Sequence, residues 1–93
     1  MHNELRSFSR VPCKVSFNFI VLLTHKQDLQ KIQASGKIID TSEIGIGIIT
    51  DFPLQPGHIL EWDDKHQKGK LHIGLVRWSK AHDNNFRAGL LFI

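Results

Sequence analysis

The chain has a single cysteine, Cys13, no tyrosine and only three prolines in 93 residues. A lone cysteine excludes an intramolecular disulfide and fits a reducing compartment. Long apolar runs are missing as well. The most apolar stretch, Phe17 to Leu23, is broken by Asn18 and falls far short of the roughly 20 residues a membrane helix needs. The first residues, Met1 to Arg6, carry Glu4 and hold no apolar core, which is not the pattern of a secretory leader. The expected location is therefore cytoplasmic, without membrane insertion. No run of five basic residues occurs, and there is neither an internal repeat nor a low-complexity tract.

What is present is enough for one small domain. A chain of this length builds one modest core, and 41% hydrophobic content supplies it. Twelve Lys and Arg against nine Asp and Glu give a net charge of +3, so anionic partners are favoured without a long polyanion being required.

The prevailing periodicity is two, which is that of strands with one buried face. Cys13, Val15, Phe17, Phe19 and Val21 alternate with Lys14, Ser16, Asn18 and Ile20. The polar stretch Thr24 to Gln33 reads as a connection, with Leu29 and Ile32 supporting one short helical turn. Lys37-Ile38-Ile39 opens a second strand, and Ile44, Ile46 and Ile48 mark a third. Pro53-Leu54-Gln55-Pro56-Gly57 is a turn, because proline presets φ and glycine permits positive φ. Leu60 and Trp62 are in phase on a fourth strand, and Asp63 to Gly69 forms a polar hairpin loop. In Lys70 to Ser79 the inward phase switches from Leu71, Ile73 and Leu75 to Val76 and Trp78, which predicts a β-bulge near Gly74. After a turn at Ala81 to Asn84, Phe86, Ala88, Leu90 and Phe92 alternate. Six short strands without a long helix predict an all-β barrel or sandwich, and closure is expected because it hides strand edges.

Two motifs carry chemistry. Arg6 and Arg10 stand four apart just before the first strand. A guanidinium donates two parallel hydrogen bonds to phosphate oxygens or to the O6/N7 edge of guanine, although such a pair near a terminus is, taken alone, usually a solvated one. Asp40-Thr41-Ser42-Glu43-Ile44-Gly45 lies between the second and third strands. A carboxylate accepts from the N1–H and N2–H₂ of guanine, a hydroxyl adds a contact, and glycine permits close backbone approach. The same residues also read as an ordinary Asx or Ser/Thr turn closed by glycine.

Together, Arg6-x-x-x-Arg10 and Asp40-x-Ser42-x-x-Gly45 resemble the paired signature of the PilZ family, RxxxR followed by D/N-x-S-x-x-G. Leu54-Gln55-Pro56-Gly57, Gly74-Leu75-Val76-Arg77-Trp78 and Gly89-Leu90-Leu91-Phe92 extend the likeness over nearly the whole chain. The resemblance implies a six-stranded antiparallel barrel over residues 11–93, with an N-terminal arm over residues 1–10 that folds across cyclic di-GMP. It implies that Arg6 and Arg10 engage phosphates and guanine edges, that Asp40 and Ser42 engage a guanine, and that Gly45 keeps the turn compact. Leu5 supplies no further guanidinium for a second, stacked molecule, so one ligand per chain is expected. The arm holds only Met1, Leu5 and Phe8 as apolar residues, and the expected mechanism is that the ligand orders it and presents a surface to an unidentified partner protein. Family members often continue into a C-terminal helix. None follows Ile93 here, which leaves one barrel opening to be covered otherwise, as in a shortened or minimal variant or an oligomer.

Other readings are weaker. Six histidines show no HxH, HxxxH or HExxH spacing, so no metal site or cofactor is expected. Cys13 falls in the buried phase, and Asp40 and Ser42 have no base beside them in sequence, so no enzyme is expected. Trp62 and Trp78 are both read as core, with Trp78 alternatively a stacking surface at the ligand's edge. Two competing functions remain. One is a PilZ-like interaction module that has lost its ligand, and the other is a small basic barrel for single-stranded nucleic acid. The second is disfavoured because the phenylalanines follow the buried phase.

Overall fold

A computed structural model describes residues 10–93. They form six antiparallel strands and no helix: β1 (Val11–His25), β2 (Asp28–Thr41), β3 (Gly45–Thr50), β4 (Ile59–Asp63), β5 (Leu71–His82) and β6 (Asn85–Phe92). The strands close into a barrel in the order β1-β2-β3-β6-β5-β4, with the β1–β4 seam made by three pairs, Ile20–Glu61, Val21–Leu60 and Leu22–Ile59. No helix among the described residues is long and apolar enough to cross a membrane.

The interior follows the period-two reading. Phe19, Val21, Ile46, Ile48, Leu54, Leu60, Trp62, Val76, Ala88 and Leu90 form one buried cluster, with Phe17, Leu23, Ile32, Ala34 and Ile38 packed against it. Thr50 is the buried polar side chain of this core, and it is satisfied. Its hydroxyl donates to the Ser35 carbonyl at 2.7 Å and accepts from the Phe52 amide at 3.2 Å. Leu54 is 3% exposed, which anchors the β3–β4 connection, and Gly57 completes that turn at φ 98°. The connection is tied to β5 by reciprocal hydrogen bonds, Gly57 N to Val76 O and Val76 N to His58 O, each 2.9 Å.

Three expectations need correction. The stretch Thr24 to Gln33 contains no helical turn. β1 and β2 instead pair without a break from Val15–Ile38 to His25–Asp28 and join through a two-residue turn at Lys26-Gln27, where both residues take positive φ, 51° and 72°. The inward face of β2 is Ile32, Ala34, Gly36 and Ile38, an alternation disguised by its small members. In β5 the register shift lies between Val76 and Trp78, not at Gly74. Gly74 and Val76 are both buried, whereas Leu71 is half exposed. Finally, Trp78 is 49% exposed and is not core, because the shift at Arg77 turns it outward, while Trp62 is 7% exposed and lies inside as expected.

One barrel mouth carries an aromatic cluster. Trp62 stacks on His72 at 5.6 Å and meets Phe17 edge-on at 5.8 Å. Cys13, Val15, Ile38 and Ile46 join Phe17 and Trp62 around an apolar concavity of about 300 Å³ at this end. At its rim Asp64 organises the β4–β5 loop. Its carboxylate accepts from the backbone amides of His66 at 2.9 Å and Gln67 at 2.8 Å, and contacts His72 Nε2 at 2.7 Å. The His72 contact, followed by the two amides, lowers the Asp64 pKa from 3.8 to about 2, because each favours the charged carboxylate.

Candidate functional site on the outer face of the barrel

The two halves of the paired signature meet in space. Arg10 Nη1 donates to Asp40 Oδ1 at 2.5 Å, across thirty residues of sequence. Pairing of β1 with β2 brings this about, since Pro12 lies opposite Asp40 and the chain reaches Arg10 just beyond. Both partners stay accessible, with side-chain exposures of 44% and 28%. Arg6 lies outside the described residues.

Ser42 and Gly45 close the β2–β3 turn. The Ser42 amide donates to the Gly45 carbonyl at 2.9 Å. The Ser42 hydroxyl makes two longer contacts, donating to that carbonyl and accepting from the Ile44 amide, each at 3.4 Å. These weak bonds leave the hydroxyl with acceptor capacity to spare. Gly45 is required by close approach and not by a left-handed backbone. A Cβ there would run into the carbonyl oxygen of Leu90 on β6, and Gly45 is not among the positive-φ residues.

Strand register shows why Asp40 lies where it does. One row crosses the outside of the barrel from Pro12 to Asp40, Gly47, Gly89 and Trp78. The Asp40 carboxylate lies directly on Gly47, where a Cβ would sit 2.7 and 2.8 Å from its two oxygens. The pyrrole side of the Trp78 indole covers Gly89 in the same way. Gly47 and Gly89 are direct cross-strand partners, so the two glycines let a carboxylate and an indole lie side by side on the sheet. A guanidinium, a carboxylate and an aromatic face are thus consecutive on one accessible surface.

This arrangement suits a planar, hydrogen-bonding ring. The indole offers a stacking surface, the carboxylate accepts from paired N–H donors, and the guanidinium donates to acceptors or phosphate oxygens. Sequence reading singled out Arg10, Asp40, Ser42 and Gly45, gave Trp78 a stacking role only as the alternative to a core one, and missed the parts played by Gly47 and Gly89. The signal for the glycines was their position on outward phases of otherwise apolar strands, where glycine marks a close approach. Trp78 was hidden by the register shift before it. Among the described residues no group of three His, Cys, Asp or Glu side chains is assembled to hold a metal.

Comparison of the chain with protein-family models gives no match. Comparison with curated proteins gives none either.

Proposed function

We propose that the protein is a PilZ-type sensor or adaptor that binds cyclic di-GMP and signals to a partner protein without catalysing a reaction. The observation that carries this reading is the Arg10–Asp40 contact, which unites both halves of the signature on an open surface. The exposed ion pair itself holds little free energy, about 0.2–1 kcal/mol. A guanine that takes the carboxylate on its N1/N2 edge, together with a phosphate or guanine O6/N7 edge that takes the guanidinium, replaces that pair with stronger contacts. Trp78 adds a stacking surface beside them. Ordering of residues 1–10 over the bound ligand is the proposed signalling step, with Arg6 as the second clamp and the cytoplasm as the proposed location.

A second reading draws support from the outward position of Trp78. An exposed indole near Arg77, Lys80 and Arg87 is also what a single-stranded nucleic acid site uses. A carboxylate over the glycine next to the one the indole covers argues for a discrete guanine over a continuous phosphate backbone.

Affinity measurements on variants test the proposal. Arg10→Ala is expected to cost roughly 2–5 kcal/mol of cyclic di-GMP binding, since it removes a charge-assisted contact and strands its partner. Asp40→Ala is expected to cost about 1.5–3 kcal/mol, the range for hydrogen bonds to a charged group. Unchanged affinity in both variants refutes the site. Amide hydrogen exchange tests the switch, with protection expected to rise at Leu5 to Val11 and Asp40 to Gly45 while Phe17 and Leu90 stay constant.

A further inference from the structure

A second row of side chains runs beside the first, two residues along on β3, β6 and β5 and, across the register shifts, three along on β2 and four along on β1. It crosses from Ser16 to Lys37, Ile49, Arg87 and Lys80. All three basic residues are exposed, and among the described residues no carboxylate lies within ion-pair distance of any of them. Arg87 and Lys80 are direct cross-strand partners, and like charges placed directly opposite destabilise a sheet. Lys37 is two strands from Arg87, with Ile49 of β3 between them. The same surface forms a groove of about 690 Å³ in which Lys14 joins Lys37 and Arg87. Its one acid, Asp51, is not within ion-pair distance of Lys37, Arg87 or Lys80, and the groove keeps a cationic excess of three, Lys14, Lys37 and Arg87, against one.

Resting on the proposed function, we infer that Lys37, Arg87 and Lys80 form the phosphate subsite for a nucleotide whose base sits at Asp40 and Trp78. On β2 three residues separate Asp40 from Lys37 across the register shift. On β3, β5 and β6 the two rows are two residues of antiparallel strand apart, about 6.8 Å, as between Trp78 and Lys80. A base and its phosphate are one sugar apart, comparable with that spacing. A base stacked on the indole therefore carries its phosphate over the basic row. Mutual repulsion along the row is relieved when an anion binds, so the fold is arranged for an occupied state. Ser16 and Asn18 in the groove supply neutral hydrogen-bonding groups suited to sugar hydroxyls.

The test uses Lys37→Gln, Arg87→Gln and Lys80→Gln, alone and combined, with calorimetric titration of cyclic di-GMP at two salt concentrations. Each single variant is expected to weaken binding several-fold and the triple variant by far more, with a flatter salt dependence. Lys80→Gln is also expected to raise the melting temperature of the ligand-free protein, which a merely structural lysine does not predict. Sodium pyrophosphate is the second probe, followed through amide NMR shifts expected at Lys37, Ile49 and Arg87. Cyclic di-GMP binding that is equal in wild type and triple variant overturns the subsite and leaves the proposed function standing. Failure of cyclic di-GMP to bind, with pyrophosphate shifts confined to the row, overturns the proposed function and upholds the phosphate subsite. No response to either probe overturns both.

Discussion

Gly47→Ala is a small change that separates the site from the scaffold. The added methyl would sit 2.7 and 2.8 Å from the Asp40 oxygens, about 0.7 Å inside ordinary contact, and its nearest neighbours are all in that one carboxyl group. Asp40 is on an accessible surface and can rotate away. The cost to folding is then the exposed Arg10–Asp40 pair, about 0.2–1 kcal/mol, with little strain added to the strands. Ligand binding has no such escape. A carboxylate rotated off Gly47 no longer faces a base stacked on Trp78, and losing a hydrogen bond to a charged group costs about 1.5–3 kcal/mol. That corresponds to a loss of affinity of roughly ten- to more than a hundredfold. Denaturant unfolding and calorimetric titration on the same preparation measure the two quantities. Unchanged affinity would refute the placement of Asp40 as the base-recognising group. A folding loss well above 1 kcal/mol would show that Gly47 serves the barrel and not the site.

Gly45→Ala is expected to behave oppositely, because its Cβ meets the Leu90 backbone and not a movable side chain. Destabilisation of at least the 1–3 kcal/mol typical of overpacking is expected in denaturant titration. The pair Lys26→Asn with Gln27→Gly should stabilise the protein by about 0.5–1 kcal/mol in thermal melts, since both positions hold positive φ and Asn-Gly is the preferred two-residue turn. Acid unfolding should reveal Asp64. With its pKa lowered from 3.8 to about 2 in the folded protein, the unfolded state binds the proton first as pH falls. The stability it contributes is complete above about pH 4 and disappears between pH 4 and 2. Asp64→Asn should remove that part of the pH dependence, and an identical acid profile in the variant would contradict it.

The barrel was legible wherever large apolar residues marked one face. Phe17, Phe19 and Val21 in β1, Ile46 and Ile48 in β3, and Ala88 and Leu90 in β6 all point inward as their period requires. The first half of β2 was not legible. Its inward positions include Ala34 and Gly36, which carry little hydrophobic signal, and its turn at Lys26-Gln27 lacks the Asn or Gly that announces a hairpin. Long pairing with β1 overrides those weak local preferences. The outward turn of Trp78 was hidden for a different reason. Alternation alone reveals that a phase change occurs, but only the partner strand fixes where, and β6 places it at Arg77. In the site, residue types with recognisable chemistry at fixed spacing, Arg10, Asp40 and Ser42, were readable from the chain. Gly47 and Gly89 were not, because their function is to leave room for side chains from other strands.

The most direct test of the account is a calorimetric titration of the wild-type protein with cyclic di-GMP, set against GTP and a short single-stranded oligonucleotide. Saturable binding of cyclic di-GMP at one ligand per chain, with GTP and the oligonucleotide far weaker, is the predicted result. Binding of the oligonucleotide as tight as or tighter than that of cyclic di-GMP, or no heat with cyclic di-GMP at all, would contradict it.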